Sequence, residues 1–134
     1  MFGSAPAVAF VPATDLDRSR RFYQDVLGLT LVETSPYACV FRTATATLRV
    51  TKVERLSPQP FTVLGWTVPD IHRTIDDLSA RGVAVERYDG MDQDRRGVWT
   101  APGGDQIAWF KDPDGNTLSL HQPATRGDGS DPTS

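Results

Sequence analysis

The sequence predicts an α+β fold built from two copies of one βαβββ unit. Three observations predict it. Asp15 and Asp70, each placed to cap a helix, stand 55 residues apart, and each follows a short apolar run that holds a valine seven residues earlier, Val8 and Val63. Each is followed by an amphipathic stretch closed by glycine, Gly28 or Gly82. Near the end, Asp112-Pro113-Asp114-Gly115-Asn116 combines a φ-fixing proline, side chains that bond nearby backbone and a glycine able to take positive φ. That is a turn between two strands.

In the first unit, residues 7–11 read as a strand, Pro12 to Asp15 as a break and cap, and residues 16–27 as a helix whose stripe is Leu16, Phe22, Tyr23, Val26 and Leu27. Three strands are expected at 29–33, 37–42 and 47–53. Ser57-Pro58-Gln59-Pro60 is a short stiff linker. The second unit then reads as a strand at 61–68, a helix at 71–81, and strands at 83–87, 106–111 and 116–121. A Gly- and Asp-containing loop fills 88–104, a length more often functional or mobile than accidental. Residues 1–123 are expected to form one domain, with modules at 5–56 and 61–122, and the polar stretch 124–134 a disordered tail.

Composition excludes several classes of function. With 14 basic and 17 acidic residues and no dense basic cluster, there is no electrostatic case for nucleic acid. No apolar run approaches the roughly 20 residues of a membrane span, and the first four residues lack signal-peptide character, so cytoplasmic residence is expected. The single Cys39 excludes an intrachain disulfide and reads as a buried strand thiol. No Gly-rich phosphate loop, Gly-x-Ser-x-Gly elbow, cysteine pair or His-Glu-x-x-His helix is found.

The paired units, with Asp15-Leu16-Asp17-Arg18-Ser19-Arg20-Arg21-Phe22-Tyr23-Gln24-Asp25-Val26-Leu27-Gly28-Leu29 in the first and Phe110-Lys111-Asp112-Pro113-Asp114-Gly115-Asn116-Thr117-Leu118 in the second, resemble the vicinal oxygen chelate superfamily. Its members include glyoxalases, extradiol dioxygenases and bleomycin-resistance proteins. The resemblance spans about residues 5–122. It implies two βαβββ modules forming curved mixed sheets around a cavity, with helices on the convex side, and a homodimer as in related small members. The fold alone does not fix a chemistry, because it hosts lyases, epimerases, dioxygenases, thiol transferases and non-catalytic binders.

In metal-using members the resemblance implies ligands near the start of each unit's first strand and on its last. Those positions here are Val8, Arg49, Val63 and Ser119. Valine and arginine do not ligate a divalent ion, and a neutral serine is a weak ligand beside His, Glu or Cys. No metal and no cofactor are therefore expected. Strand alternation makes Val8, Phe10, Arg49, Val63, Thr67, Ile107, Trp109, Ser119 and His121 the ligand-binding wall, with Trp99 from the long loop as lid or packing anchor. Leu64, Trp66, Val68, Phe110, Leu118 and Leu120 are expected to face the helices.

Such a wall suits an aromatic or antibiotic-like small molecule, with Arg49 for an anionic or carbonyl group and His121 as hydrogen-bond donor or base. Arg49 also reads as the cross-strand partner of an acid. His72 reads as a surface residue, and Asp92, Asp94, Arg95 and Arg96 as a solvated turn. The leading expectation is a metal-independent binder of the drug-resistance kind. The alternatives are an enzyme using a displaced metal or His121 as base, with no confident catalytic residue, and a scaffold with a vestigial cavity.

Overall fold

A computed structural model of the chain describes residues 1–125. The expected 124–134 tail lies outside these residues apart from its first two. Two four-stranded open sheets carry the architecture. In the first, β1 (Ala7–Ala13) pairs parallel with β4 (Ala46–Lys52), which pairs antiparallel with β3 (Ala38–Arg42), and β2 (Thr30–Thr34) closes the order β1-β4-β3-β2. In the second the order is β5-β8-β7-β6, with β5 Thr62–Thr67, β6 Trp99–Thr100, β7 Gln106–Lys111 and β8 Thr117–Gln122. The described chain divides into two compact units, residues 1–64 with 111–118, and residues 65–110 with 119–125.

In the first unit Asp15 caps α1 (Leu16–Arg20) by accepting from the Arg18 N–H at 3.1 Å. The helix does not continue evenly to Leu27 as its apolar stripe suggests. Residues Arg21–Val26 form a π-helical segment, in which the Leu27 N–H reaches back five residues to the Phe22 carbonyl at 2.9 Å. Gly28, at φ +77°, then ends it in a conformation L side chains avoid. Tyr23 is fully buried on Phe41 at 5.9 Å, above a sheet face of Val11, Cys39, Leu48 and Val50. The Cys39 thiol is buried as expected, and burial pushes its pKa up.

The turn at 112–116 belongs to this same unit. Asp112 Oδ1 accepts from the N–H groups of Asp114 and Asn116, at 3.0 and 2.9 Å, and Gly115 takes φ +86°. Asn116 Nδ2 donates to the Pro12 carbonyl at 3.0 Å, and Asp114 accepts from the Thr14 N–H at 3.1 Å and from Arg18 at 3.2 Å. The motif thus shapes a hairpin and anchors it at the end of β1 and the start of α1.

In the second unit Asp70 caps α2 (Ile71–Ala80), which buries Ile71, Ile75 and Leu78, and Gly82 follows at φ +85°. Trp66 is half-buried and stacks on buried Phe110 at 6.5 Å. Two expectations are corrected here. Residues 83–87 are not a strand: Val85 bridges Phe110 and the Glu86 N–H bonds the Trp109 carbonyl at 2.7 Å, but no ladder develops. The fourth strand is Trp99–Thr100, inside the stretch read as loop.

That stretch is also braced. Asp94 Oδ1 accepts from the N–H groups of Arg96 and Val98 at 2.9 Å each, and its Oδ2 pairs with His72 Nε2 at 2.7 Å. Burial pushes the Asp94 carboxyl up, and the hydrogen bonds from His72, Val98 and Arg96 outweigh it, so its pKa is lowered. Arg96 clamps Asp76 of α2 at two points, 2.7 and 3.1 Å. Asp92, Asp94, Arg95 and Arg96 are all exposed, as a solvated turn requires, and Asp94 and Arg96 also tie that turn to His72 and Asp76 of α2. No helix among the described residues is long and apolar enough to cross a membrane.

Candidate functional site

Alternation of side chains decides which residues face a ligand. On the second sheet, Lys111 Nζ donates to Thr117 Oγ1 at 2.8 Å, so these side chains share a face. Counting in twos, Trp109 and Ile107 join Lys111, while Ser119 and His121 join Thr117. Trp99 pairs with Ile107 and falls on that face too. Gly65 lies so close to Ser119 that a Cβ there would collide with the Ser119 hydroxyl, which places Val63 and Thr67 on the same side. The opposite face holds Ala108, Phe110, Leu118 and Leu120, all buried.

The exposed face carries an aromatic cluster. Trp99 and Trp109 lie 6.4 Å apart and tilted by 33°, and Tyr88 meets Trp109 edge-on at 5.7 Å. Both tryptophans are half-buried, so indole surface remains open to solvent. On the same face His121 Nε2 lies 3.3 Å from Asp105 Oδ2, and Asp105 Oδ1 accepts from the Ala124 N–H at 2.8 Å. With Nε2 donating to the carboxylate, Nδ1 is the nitrogen left to accept a proton.

On the first sheet, Phe10 and Val40 flank Arg49 on its two neighbouring strands, and Val8 stands opposite Thr47. The Arg49 guanidinium has no ion pair or hydrogen bond among the described residues, so the acidic cross-strand partner is not found. Phe10 is 64% exposed and Val8 48%, whereas their neighbour Val11 is 1% exposed. The expected wall residues therefore fall into two sets, Val8, Phe10 and Arg49 on one sheet and the other seven on the second. A cleft of about 420 Å³ opens beside β6, lined by Asp92, Asp94, Val98, Trp99, Thr100 and Pro102, and shares only Trp99 with the expected wall.

Two members of the second face were not legible in the sequence. Tyr88 carried no strand pattern, and Asp105 follows Pro102-Gly103-Gly104 in a turn, 16 residues from His121. Metal ligation does not fit the positions where related enzymes hold one, because Val8, Arg49, Val63 and Ser119 offer no strong donor set. Among the described residues no group of three or more His, Cys, Asp or Glu side chains gathers closely enough to hold an ion.

Two four-stranded mixed sheets, each built from one βαβββ run of the chain, define the class of the domain. The chain belongs to the glyoxalase/bleomycin resistance protein/dioxygenase superfamily, whose family model matches residues 6–120. Solved structures agree in fold. A lactoylglutathione lyase from Agrobacterium tumefaciens is 21% identical, with a TM-score of 0.70 over 89% of this chain and 93% of that one. A glyoxalase family protein from Enterococcus faecalis is 18% identical, with a TM-score of 0.72 over 90% and 99%. A superfamily member from Sphaerobacter thermophilus is 19% identical, with a TM-score of 0.71 over 92% and 100%. No curated protein matches the sequence.

Proposed function

We propose that the protein is a metal-independent small-molecule binder that sequesters an aromatic, antibiotic-like ligand, in the manner of a resistance protein, and that it works in the cytoplasm as a homodimer. The observation that carries the reading is the open aromatic surface of Tyr88, Trp99 and Trp109 on the face that also holds Ser119 and His121. Flat indole surfaces with a few polar points suit stacking and one or two hydrogen bonds. The donor-poor positions Val8, Arg49, Val63 and Ser119 support binding without a metal. Exposed Phe10 and Val8 supply apolar surface for a second copy. A monomeric sedimentation mass at micromolar protein overturns the dimer.

The test is a screen of aromatic compounds by quenching of tryptophan fluorescence, with each hit incubated at length and analysed for product. Stoichiometric binding without turnover is expected. Absence of any ligand across a broad aromatic library overturns the reading and leaves a scaffold with a vestigial face.

The second reading, an enzyme of lyase, isomerase or dioxygenase type, is favoured by one observation, the pairing of His121 with Asp105. In the tautomer whose Nε2 donates to Asp105, Nδ1 is available as a base toward a ligand lying against Trp109. Product formation that disappears in His121→Ala while binding persists decides for it.

A further inference from the structure

On the helix side of the second unit, α2 and residues 83–96 enclose a separate cleft of about 260 Å³. Its charge is unusual for an acidic chain. Arg87, Arg95 and Arg96 line it against one carboxylate, Asp76, which leaves an excess of two positive charges among the lining residues in a protein of net charge −3. Arg96 is spent on Asp76 through its two-point clamp, and that hydrogen bonding holds the Asp76 carboxyl below the usual carboxylate range. Arg87 donates to the Arg95 carbonyl at 2.7 Å and weakly to that of Gln93 at 3.5 Å, bonds that leave its charge unneutralised. The Arg95 guanidinium has no ion pair or hydrogen bond among the described residues.

The frame that presents these groups is ordered by its own bonds. Gln93 Nε2 donates to the carbonyls of Glu86 and Gly97 at 2.9 and 2.8 Å, and Asp94 ties the same segment to His72. Bracing of this kind lowers the entropy lost when a ligand is held. The remaining lining includes the aliphatic side chains of Ile75, Val83 and Val85.

We propose that this cleft binds a small-molecule phosphomonoester. The excess of two guanidinium charges matches a phosphate dianion, and forked N–H donors match its oxygens. A carboxylate would satisfy half of that charge. The aliphatic lining takes the organic body. The carbonyl end of α2 near Ser79 disfavours an anion, so the phosphate belongs on the wall that carries Arg87 and Arg95.

The test is titration of the full chain with butyl phosphate, followed by amide and arginine side-chain NMR signals, with inorganic phosphate and butanol as controls. Saturable shifts at residues 83–87 and 95–97 are expected, with butyl phosphate binding tighter than either control. Arg95→Ala, a change at an exposed and uncommitted side chain, should weaken binding at least tenfold. Asp76→Asn, which frees Arg96, should tighten it severalfold. Unchanged affinity in Arg95→Ala, shifts confined to the Trp99 and Trp109 indoles, or inorganic phosphate binding as tightly as butyl phosphate would each overturn the proposal.

Discussion

The hydroxyl of Tyr23, in the π-helical turn, donates a 2.7 Å hydrogen bond to Oδ2 of Asp112, 89 residues further along the chain. Both groups are buried, and Asn116 Nδ2 bonds the same carboxylate oxygen at 2.8 Å. A carboxylate removed from water is tolerated because its oxygens are occupied by donors.

Tyr23→Phe keeps the ring on Phe41 and deletes one donor to Asp112. We expect a loss of about 1–3 kcal/mol, the range for leaving a buried acceptor short of a bond. Urea unfolding with an unchanged slope is the measurement, and a loss within error would place the stabilisation in the ring alone.

The same residue predicts an alkaline limb. Burial first, and then Asp112, push the Tyr23 pKa above its ordinary 10.0. The native state therefore keeps a proton that the unfolded chain releases, so the contribution is complete below pH 10 and declines as pH rises past it. Each further pH unit removes up to about 1.4 kcal/mol per proton. Thermal midpoints between pH 9 and 11 should fall more steeply for the wild type than for Tyr23→Phe. Parallel curves would refute this.

At low pH the sign reverses for Asp94, whose pKa is lowered by its bonds to His72, Val98 and Arg96. Its contribution is present above the ordinary carboxylate value of 3.8 and is lost as pH falls through the lower folded value. His72→Ala should shallow the acid limb of stability between about pH 5 and 2. Hydrogen exchange at residues 93–98 should rise in that variant, and exchange as slow as in the wild type would show that His72 does not brace the loop.

Gly97 sits at φ +89° with the Val85 side chain against the place a Cβ would occupy. Gly97→Ala combines backbone strain with a clash and should cost about 1–3 kcal/mol. Gly103→Ala, which meets nothing within 4 Å and is not at positive φ, is the matched control and should be nearly neutral. Equal stability of the two variants would refute the strain.

Trp109→Ala should weaken aromatic ligands about tenfold or more, since Trp109 touches both Trp99 and Tyr88. Asp105→Asn should leave affinity for uncharged aromatics within about threefold. Titrations on the same compounds measure both, and equal losses in the two variants would move the ligand away from the indoles.

Much of the fold was legible because local chemistry and burial agreed. Leu48, Val50, Leu118 and Leu120 alternate with polar neighbours and are all buried, and Asp15 and Asp70 cap their helices as their positions suggest. Residues 83–87 misled because Val83-Ala84-Val85 has the composition of a half-buried strand, yet whether a ladder forms depends on what pairs beside it. Two residues, Trp99 and Thr100, took that place, too few to leave a periodic signal. The π-turn was hidden because one extra residue in a helical turn scarcely disturbs an apolar stripe. On the candidate site, parity indicated Trp109, Ser119 and His121. It did not reveal Asp105 or Tyr88, which sit in turns and meet their partners through the tertiary fold.

The hairpin turn at 112–116 has a consequence for biogenesis. Its bonds to Pro12, Thr14, Arg18 and Tyr23 join residues about 90 to 100 positions apart, so the first compact unit lacks those bonds when its own strands have left the ribosome. Strands β5, β6 and β7 must be synthesised before the segment that fastens α1 exists. Until then the Tyr23 hydroxyl has no Asp112 to meet, and the helix edge that the turn fastens stays unsealed in the nascent first unit.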